Sequence, residues 1–382
     1  MKLEELSQLS IIDCHIHYPH LMMMKDLIHT CDQLRIERLN IVCTPDQQRL
    51  SLVPDALHLK AHYPDRVYVF GGLDISAYFR QPEAIGHIFS ENVDQLLAAG
   101  CDGIKMIEGK PMLRKDLPIP PFNSEVFAPY WQKLEDTQTP VIFHVNDPEE
   151  FWDANLAPAW AFERGWFYGD GKFINNEEQY TEIENILSRH PRLKIIFAHF
   201  YFLSKQLPRL SALFDRFPNI CVDLTPGIEM YHNFSHNLEA VRDFFIKYQD
   251  RILFGTDIGA RALLVSPENG IQKNESLSRV FIVRNFLEEE KEFHLTANNG
   301  FLMGSGDIQF HGIGLPQDIL KKIYALNFER LTGASPRPLN PGAIIGMCSQ
   351  IEGMLQFLAQ TQPEREHDSS IAQTVRAYFE TM

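Results

Sequence analysis

Eight short apolar segments, each rich in β-branched or aromatic residues, alternate with segments of helical periodicity along this 382-residue chain. Strict alternation of strand and helix predicts parallel strands that are joined by crossover helices. Because eight such units close most simply into a ring, the pattern predicts an α/β fold with a (β/α)8 TIM barrel. The predicted strands cover residues 11–17, 39–43, 67–70, 102–107, 141–145, 194–199, 220–225 and 252–257.

A helical extension follows the predicted barrel. Length alone allows two or three domains, but a barrel of this class can exceed roughly 250 residues as one unit. After a helix near 275–292 and an irregular stretch, helical patterns recur near 316–331, 343–359 and 369–381. We therefore predict a barrel over residues 1–340 and a C-terminal helical extension over residues 341–382 that packs on it.

Composition argues against several classes of function. The net charge of −15 is unsuited to binding nucleic acid or anionic membranes. No apolar run is long enough to span a bilayer, and the charged N-terminus shows no signal peptide. Six scattered cysteines without a C-x-x-C pair favour a reducing, cytoplasmic setting. No glycine-rich dinucleotide fingerprint follows a predicted strand.

Side chains able to bind a metal occur at the ends of five predicted strands. The carboxyl ends of parallel barrel strands meet at one face, where the active sites of such barrels lie. Each residue alone has a simpler explanation, such as a hydrogen-bonded core histidine or a capping aspartate. Six unpaired groups in one ring would be a costly polar cluster, and a divalent metal removes that cost. The residues are His15 and His17 on the first strand, Lys105 on the fourth, His144 on the fifth, His199 on the sixth and Asp257 on the eighth.

Strand periodicity predicts which of these side chains face the barrel interior, because successive residues point to opposite faces. On the fifth strand, His144 shares the inner face with Ile142, and on the eighth, Asp257 shares it with Gly255. On the first strand, Asp13, His15 and His17 share one face, while Ile12, Cys14 and Ile16 share the other, which helices would cover.

These motifs, taken in order, closely resemble the amidohydrolase superfamily, and in particular its amidohydrolase-related (type-2 amidohydrolase) branch. The resemblance extends from about residue 10 to residue 335. It implies a metal-dependent hydrolase that acts on a small molecule. The matching segments are Asp13-Cys14-His15-Ile16-His17, Gly103-Ile104-Lys105, Phe143-His144, Ala198-His199 and Phe254-Gly255-Thr256-Asp257, followed by a C-terminal helix over 315–331.

The resemblance implies two versions of the metal site. In the first, one ion is held by His15, His17, His144 and Asp257, and His199 lies beside it. In the second, two ions are bridged by a carbamylated Lys105, and His144 and His199 bind the second ion. The type-2 branch favours a single ion. Zinc fits such mixed ligands, and manganese fits them too.

Three readings of the chemistry remain open. In hydrolysis of an amide, lactone or ester, the metal lowers the pKa of a bound water, Asp257 acts as base, and His199 stabilises the developing charge. In non-oxidative decarboxylation of an aromatic or unsaturated acid, a cation such as Lys105, Arg164 or Arg261 would hold the carboxylate. A barrel that binds metal without turnover is the third reading.

The loop over residues 146–175 and several strand ends supply further candidates. The aromatic part of this loop is predicted to be either a lid over the barrel mouth or an interface in a homo-oligomer, as aromatic residues serve both roles. The residues proposed to contact substrate are Lys105, Asp147, Trp152, Arg164, Asp223 and Arg261.

Overall fold

Eight parallel strands form one sheet in the computed structural model, which describes residues 7–264, 271–295 and 308–382. Each strand pairs with the next strand in the list below, so the sheet follows the chain. The predicted (β/α)8 TIM barrel is thereby confirmed. The strands are β1 (Ile12–Ile16), β2 (Arg38–Val42), β3 (Val67–Gly72), β4 (Gly103–Gly109), β5 (Val141–Val145), β6 (Ile195–Phe197), β7 (Ile220–Asp223) and β8 (Ile252–Leu253).

Backbone hydrogen bonds between β1 and the segment after β8 close the ring. The amide of Cys14 donates to the carbonyl of Phe254 at 2.9 Å. The amide of Asp257 donates to the carbonyl of His15 at 2.8 Å, and that of His17 donates to Ile258 at 2.8 Å. This seam therefore runs through three of the predicted site residues.

Helices lie between successive strands and beyond the last one. The helix predicted near 275–292 ends at Glu288, because the chain then enters a strand of a separate antiparallel hairpin, Glu292–Leu295 with Ile308–His311. The irregular stretch predicted there lies partly outside the described residues. The helices are α1 (Met24–Gln33), α2 (Val53–His62), α3 (Ala77–Arg80), α4 (Ile85–Ala99), α5 (Pro111–Asp116), α6 (Ala128–Thr137), α7 (Ala159–Glu163), α8 (Asn176–Arg189), α9 (Leu207–Arg216), α10 (Ile228–Phe234), α11 (Leu238–Lys247), α12 (Ala260–Leu264), α13 (Lys273–Glu288), α14 (Gln317–Lys321), α15 (Asn327–Thr332), α16 (Pro341–Thr361) and α17 (Ser370–Glu380).

An apolar cluster fills the barrel interior and separates its two ends. Most strands contribute to it, and residues of the α14–α15 region close it at the end where the strands begin. Ile142 belongs to this cluster, whereas Phe143 and Val145 pack outside with the helices, as the alternation on β5 predicts. Its members are Ile12, Cys14, Val42, Tyr68, Phe70, Ile142, Ile196, Ala198, Cys221, Leu253, Ala325, Phe328 and Leu331.

The alternation predicted for β1 is wrong. Ile12 and Cys14 pack inside the barrel, while Ile16 packs outside with the helices. The pairing of β1 with β2 shifts register between Asp13 and Ile16, which is the mark of a β-bulge. The bulge changes the direction in which the side chains of the strand point. The side chain of His15 therefore also faces the barrel interior, although His15 directly follows Cys14.

Two C-terminal helices lie against the outside of the barrel. Helix α16 packs on α4, and α17 packs on both α16 and α2. Ile344 and Cys348 of α16 are fully buried, and so is Val375 of α17. Arg376 donates to both carboxylate oxygens of Glu352, at 2.7 and 3.2 Å, and so joins the two helices.

No helix in the described part of the chain is long and apolar enough to cross a membrane.

Candidate metal centre

Three side chains converge at the carboxyl end of the barrel. His15, His17 and Asp257 each offer a ligand atom, and these atoms lie within 4.8 Å of one another. Oδ1 of Asp257 is 3.1 Å from Nε2 of His17 and 3.8 Å from Nε2 of His15. They are the one such cluster among the described residues, and the strand seam brings its members together.

Asp223, at the end of β7, fixes the orientation of His15. Its Oδ2 accepts from Nδ1 of His15 at 2.7 Å, and its Oδ1 accepts from the amides of His199 and Thr225. Burial would raise the pKa of Asp223, but His15 and His199 outweigh it and hold the pKa at about 2. Since Nδ1 of His15 donates to this carboxylate, its Nε2 keeps a lone pair for a metal.

Lys105, on β4, points into the same space. Its Nζ lies 3.1 Å from Nε2 of His15, and its side chain is almost completely buried. Burial lowers the pKa of Lys105 to about 8, although Asp223 and Asp257 oppose the shift. The amine is therefore mostly protonated at neutral pH, but it loses its proton far more readily than an exposed lysine.

Asp257 is held in place from the side of helix α13. Its Oδ2 lies 3.4 Å from a guanidinium nitrogen of Arg279, which also donates to Glu275. Burial would raise the pKa of Asp257, but the hydrogen bond with His17 and the charge of Arg279 hold it well below its usual range. Gly259 is needed beside this residue, because a side chain there would collide with the carbonyl of His17.

His144 points towards Asp147 and is not part of the three-residue cluster. Its Nε2 lies 3.2 Å from Oδ1 of Asp147, whose Oδ2 accepts from the hydroxyl of Tyr168 at 2.7 Å. Burial lowers the pKa of His144 to about 4, so the ring is neutral. Burial would raise the pKa of Asp147, but Lys110, His144 and Tyr168 hold it at about 2.

His199 lies beyond the end of β6, in a turn of unusual backbone. Four consecutive residues, 199–202, have φ between 54° and 58°, in the left-handed region. Such a conformation costs roughly 1–2 kcal/mol per residue without glycine. The turn places the ring of His199 4.9 Å from that of His144 and 5.7 Å from that of His15, between centroids. Burial lowers the pKa of His199 to about 3.

The arrangement fits a divalent metal. A carboxylate and two imidazoles, of which His15 is oriented by Asp223, form a donor set suited to such an ion. Nδ1 of His17 is buried and has no hydrogen-bond partner in the protein, so this polar group is left available to a ligand or a water molecule. Gly255 lies directly beneath this centre, where a side chain would approach Oγ1 of Thr225 to 2.7 Å and Cβ of His15 to 3.3 Å.

A cavity of about 1810 Å³ opens above this cluster. Four of the predicted substrate-contacting residues line it: Lys105, Asp147, Arg164 and Arg261. Arg261 contacts Glu275 at 3.1 Å, and Arg164 lies 5.5 Å from the ring centre of Trp166.

The other two predicted contacts lie elsewhere. Asp223 is fully buried beneath His15. Trp152 packs among the loop aromatics and donates to the carbonyl of Ile174. Neither of these two lines the cavity.

Sequence reasoning missed three residues of the site. Lys110 follows β4 directly, so the rule that polar residues collect at strand ends could have found it. Tyr168 belongs to the aromatic loop over residues 146–175, and no sequence pattern marks its hydroxyl as a partner of Asp147. Arg279 lies inside a helix 22 residues after Asp257, and nothing in the local sequence distinguishes it from a surface arginine.

Comparison with known proteins agrees with the fold and the motifs. A structure from Staphylococcus aureus assigned as an amidohydrolase is 15% identical, covers 85% of this chain and 100% of its own, and has a TM-score of 0.51. A 2,6-dihydroxybenzoate decarboxylase from Rhizobium is 15% identical, covers 85% of this chain and 98% of its own, and has a TM-score of 0.50. At this identity, the likeness shows the fold alone. No relative was found among curated protein sequences.

The sequence itself matches a family model over most of its length. The model describes amidohydrolases, and the match covers residues 12–331. It therefore includes all eight barrel strands and each of the residues that converge at the barrel mouth. The chain belongs to the amidohydrolase superfamily, in its type-2 branch.

Proposed function

We propose that this protein is a metal-dependent hydrolase that cleaves an amide, lactone or ester bond of a small molecule. The observation that carries the proposal is the position of Asp257. Its carboxylate is kept ionised within 3.1 Å of His17 and 3.8 Å of His15, at the floor of a large cavity. The carboxylate of Asp257 stays charged at this depth because neighbouring side chains pair with it. A buried charge that is paired in this way is typical of functional sites.

His15, His17 and Asp257 would hold the ion, with His144 as the fourth candidate ligand. Zinc or manganese bound there would supply a water of lowered pKa. We propose one ion. A second ion would need carbamylated Lys105 together with His144 and His199.

The side chains of the site have separate roles in the proposed reaction. Asp257, ionised at neutral pH, accepts the proton of the attacking water and later returns it to the leaving group. His199 is neutral, because burial depresses its pKa to about 3. A neutral imidazole still carries one N–H, with which it can stabilise the oxygen that becomes negative. Asp223 and Arg279 keep His15 and Asp257 in position.

Non-oxidative decarboxylation of an aromatic or unsaturated acid is the second candidate. It is favoured by Lys105, a cation at neutral pH that lies deep in the site, 3.1 Å from His15. There it could hold a substrate carboxylate. The decarboxylase from Rhizobium has a similar fold.

Metal content and product analysis test these proposals together. Protein purified without chelator is analysed for metal per chain, and then assayed with amides, lactones, esters and aromatic acids, with separate detection of carbon dioxide. One equivalent of metal and hydrolysis without carbon dioxide are expected. Carbon dioxide from an acid substrate would favour the second candidate. Absence of metal after reconstitution would refute both, and metal without any turnover would indicate a non-catalytic barrel.

The variant His199→Ala distinguishes one ion from two. With one ion, it should lose activity and keep its metal, because His199 lies outside the three-residue cluster. Loss of about half the metal, or a carbamate detected on Lys105 by mass spectrometry, would indicate two ions. His62, an exposed histidine on α2, provides the matched control as His62→Ala.

We propose that the protein acts in the cytoplasm. All six cysteines are buried and unpaired, which suits a reducing compartment. Association into a homo-oligomer remains a proposal, to be tested by sedimentation.

A further inference from the structure

The C-terminal extension forms part of the wall of the active-site cavity. Met354, Phe357 and Leu358 of α16 line the cavity at whose floor His15 and Asp257 lie, together with Gln362 and residues 364–367 of the connection to α17. This segment lies beyond residues 12–331, which match the family. The cavity is therefore completed by a part of the chain that the family match does not include.

The extension is anchored at both ends of this wall. After β2 the chain forms a short antiparallel hairpin, in which Pro45–Asp46 pairs with Leu50–Ser51. Gln48, at the turn of this hairpin, donates from its side chain to Glu366 at 2.7 Å. The carbonyl of Gln48 accepts from the amide of Asp368 at 3.0 Å. On the other side, α16 packs on α4, and Asn340 caps its first turn. The wall is thus a fixed part of the fold, with the same hairpin lining the cavity beside it.

Large apolar side chains are exposed on several sides of the cavity. Phe357 of α16 is 57% exposed, Phe79 of α3 is 64% exposed, and Leu156 of the loop after β5 is 54% exposed. Trp160 and Trp166 of the same loop also line the cavity. Apolar surface left in water around one concave site is typical of a place where a ligand binds.

The size of the cavity points to a large ligand. Its volume of about 1810 Å³ exceeds the roughly 300–1,000 Å³ that is usual for sites of small ligands. The metal-ligand cluster lies at the floor, and the walls carry both polar side chains, such as Asp74 and Glu366, and apolar ones. The exposed apolar side chains belong to α3, α16 and the loop after β5, which are elements outside the strands. A ligand that fills this space would carry a polar reacting group at one end and a bulky apolar group at the other.

We infer that the C-terminal extension binds the apolar acyl or aryl portion of the substrate, with Phe357 as its main contact and Phe79 and Leu156 as further apolar contacts in the same cavity. The inference rests on the proposed function only in placing the reacting bond at the barrel mouth. Residues 354–367 thereby determine which substrates are accepted. The occupant of the apolar wall is a part of the substrate, because the wall is continuous with the cavity that holds the metal ligands.

Binding of straight-chain carboxylates tests this inference without requiring turnover. Butyrate, hexanoate, octanoate and decanoate are titrated into the metal-loaded protein by calorimetry. Affinity should rise with chain length, by up to about fourfold for each methylene that becomes buried. Phe357→Ala should weaken decanoate binding by about fivefold and should flatten the dependence on length. Leu326→Ala provides the matched control, because Leu326 is 51% exposed but does not line the cavity.

Three results would overturn the inference. One is affinity that does not depend on chain length, and another is an equal effect of Phe357→Ala and Leu326→Ala. The third is a change in sedimentation of Phe357→Ala with unchanged binding, because the wall would then be an interface with a second copy of the chain. Thermal unfolding of both variants is measured as well, so that a loss of binding caused by misfolding can be recognised. Since none of these binding measurements requires catalysis, they can support the inference even if the proposed hydrolysis is not detected.

Discussion

Two buried lysines, Lys60 beside the start of β4 and Lys105 within that strand, show how differently this barrel treats a buried charge. Lys60 of α2 lies at the end where the strands begin. Its Nζ is 2.7 Å from Oδ2 of Asp102 and 2.7 Å from the carbonyl of Gly100. Asp102 in turn accepts from the amides of Val69 and Arg337. Every charged group in this cluster has a hydrogen-bonding partner in the protein.

Lys105 is equally buried, three residues after Asp102, but its surroundings are different. Its nearest polar contact is Nε2 of His15 at 3.1 Å, and it forms no ion pair within 4 Å among the described residues. Burial lowers the pKa of both lysines, to about 8 for Lys105. The difference suggests a test: we expect the closed cluster around Lys60 to stabilise the fold, and we propose that the cluster around Lys105 is completed by a ligand.

Asp257→Asn should have the largest effect, and it tests the open cluster. The substitution keeps the shape of the side chain but removes the charge that we propose binds the metal and accepts a proton. We expect metal content to fall to background and turnover to drop by about 10²–10⁴-fold, with circular dichroism unchanged. A variant that retains full metal and activity would show that Asp257 is not part of the site.

Lys60→Met tests the closed cluster. It leaves Asp102 buried without its cation, and breaking a buried ion pair from one side costs about 3–5 kcal/mol. The free energy of unfolding, measured in urea, should fall by this amount, while metal bound per folded chain stays the same. If the loss were below about 1 kcal/mol, the pair would not stabilise the fold and the comparison would fail.

Asp223→Asn should have an intermediate effect, limited to the orientation of His15. Loss of the carboxylate that accepts from Nδ1 should weaken metal binding by about 10–100-fold, which competition with a chelator can measure. The buried carboxylate of Asp55, bonded to Arg49 at 3.2 Å, gives a control as Asp55→Asn. Equal metal affinity of Asp223→Asn and the natural protein would contradict the role given to Asp223.

Lys105→Met should have the smallest effect on stability, in contrast to Lys60→Met. Because it removes a buried ammonium without an ion-pair partner, the free energy of unfolding of the metal-free protein should change by less than about 1 kcal/mol or should rise. Activity should fall if Lys105 holds the substrate or a bridging carbamate. A loss of stability as large as that of Lys60→Met would remove the distinction between the two clusters.

The fold was predictable because it depends on a repeated pattern. Each βα unit repeats the same alternation of strand and helix, so an error in one boundary leaves the ring unchanged. The inner position of Ile142 likewise followed from the regular strand β5. On β1 the same argument failed, because the bulge between Asp13 and Ile16 interrupts the period of two.

The site could be predicted only where it depends on strand ends. His15, His17 and Asp257 follow apolar runs, and the structure brings them within 4.8 Å of one another. Arg279 could not be predicted, because its contact with Asp257 depends on how α13 packs on the barrel. The left-handed turn at His199 was equally hidden, since no glycine marks it. One contact that holds it, from the amide of His199 to Asp223, joins residues that are 24 positions apart.

The seam between β1 and the segment after β8 has a consequence for the newly synthesised chain. The hydroxyl and amide of Thr256 bond to Asp13, which lies 243 positions earlier. Asp257, the carboxylate of the metal cluster, is fixed by the same seam. A nascent chain that ends before residue 250 carries all the histidines of the site, yet it can neither close the ring nor complete the cluster. Metal capture during translation should therefore begin only when the eighth strand has left the ribosome.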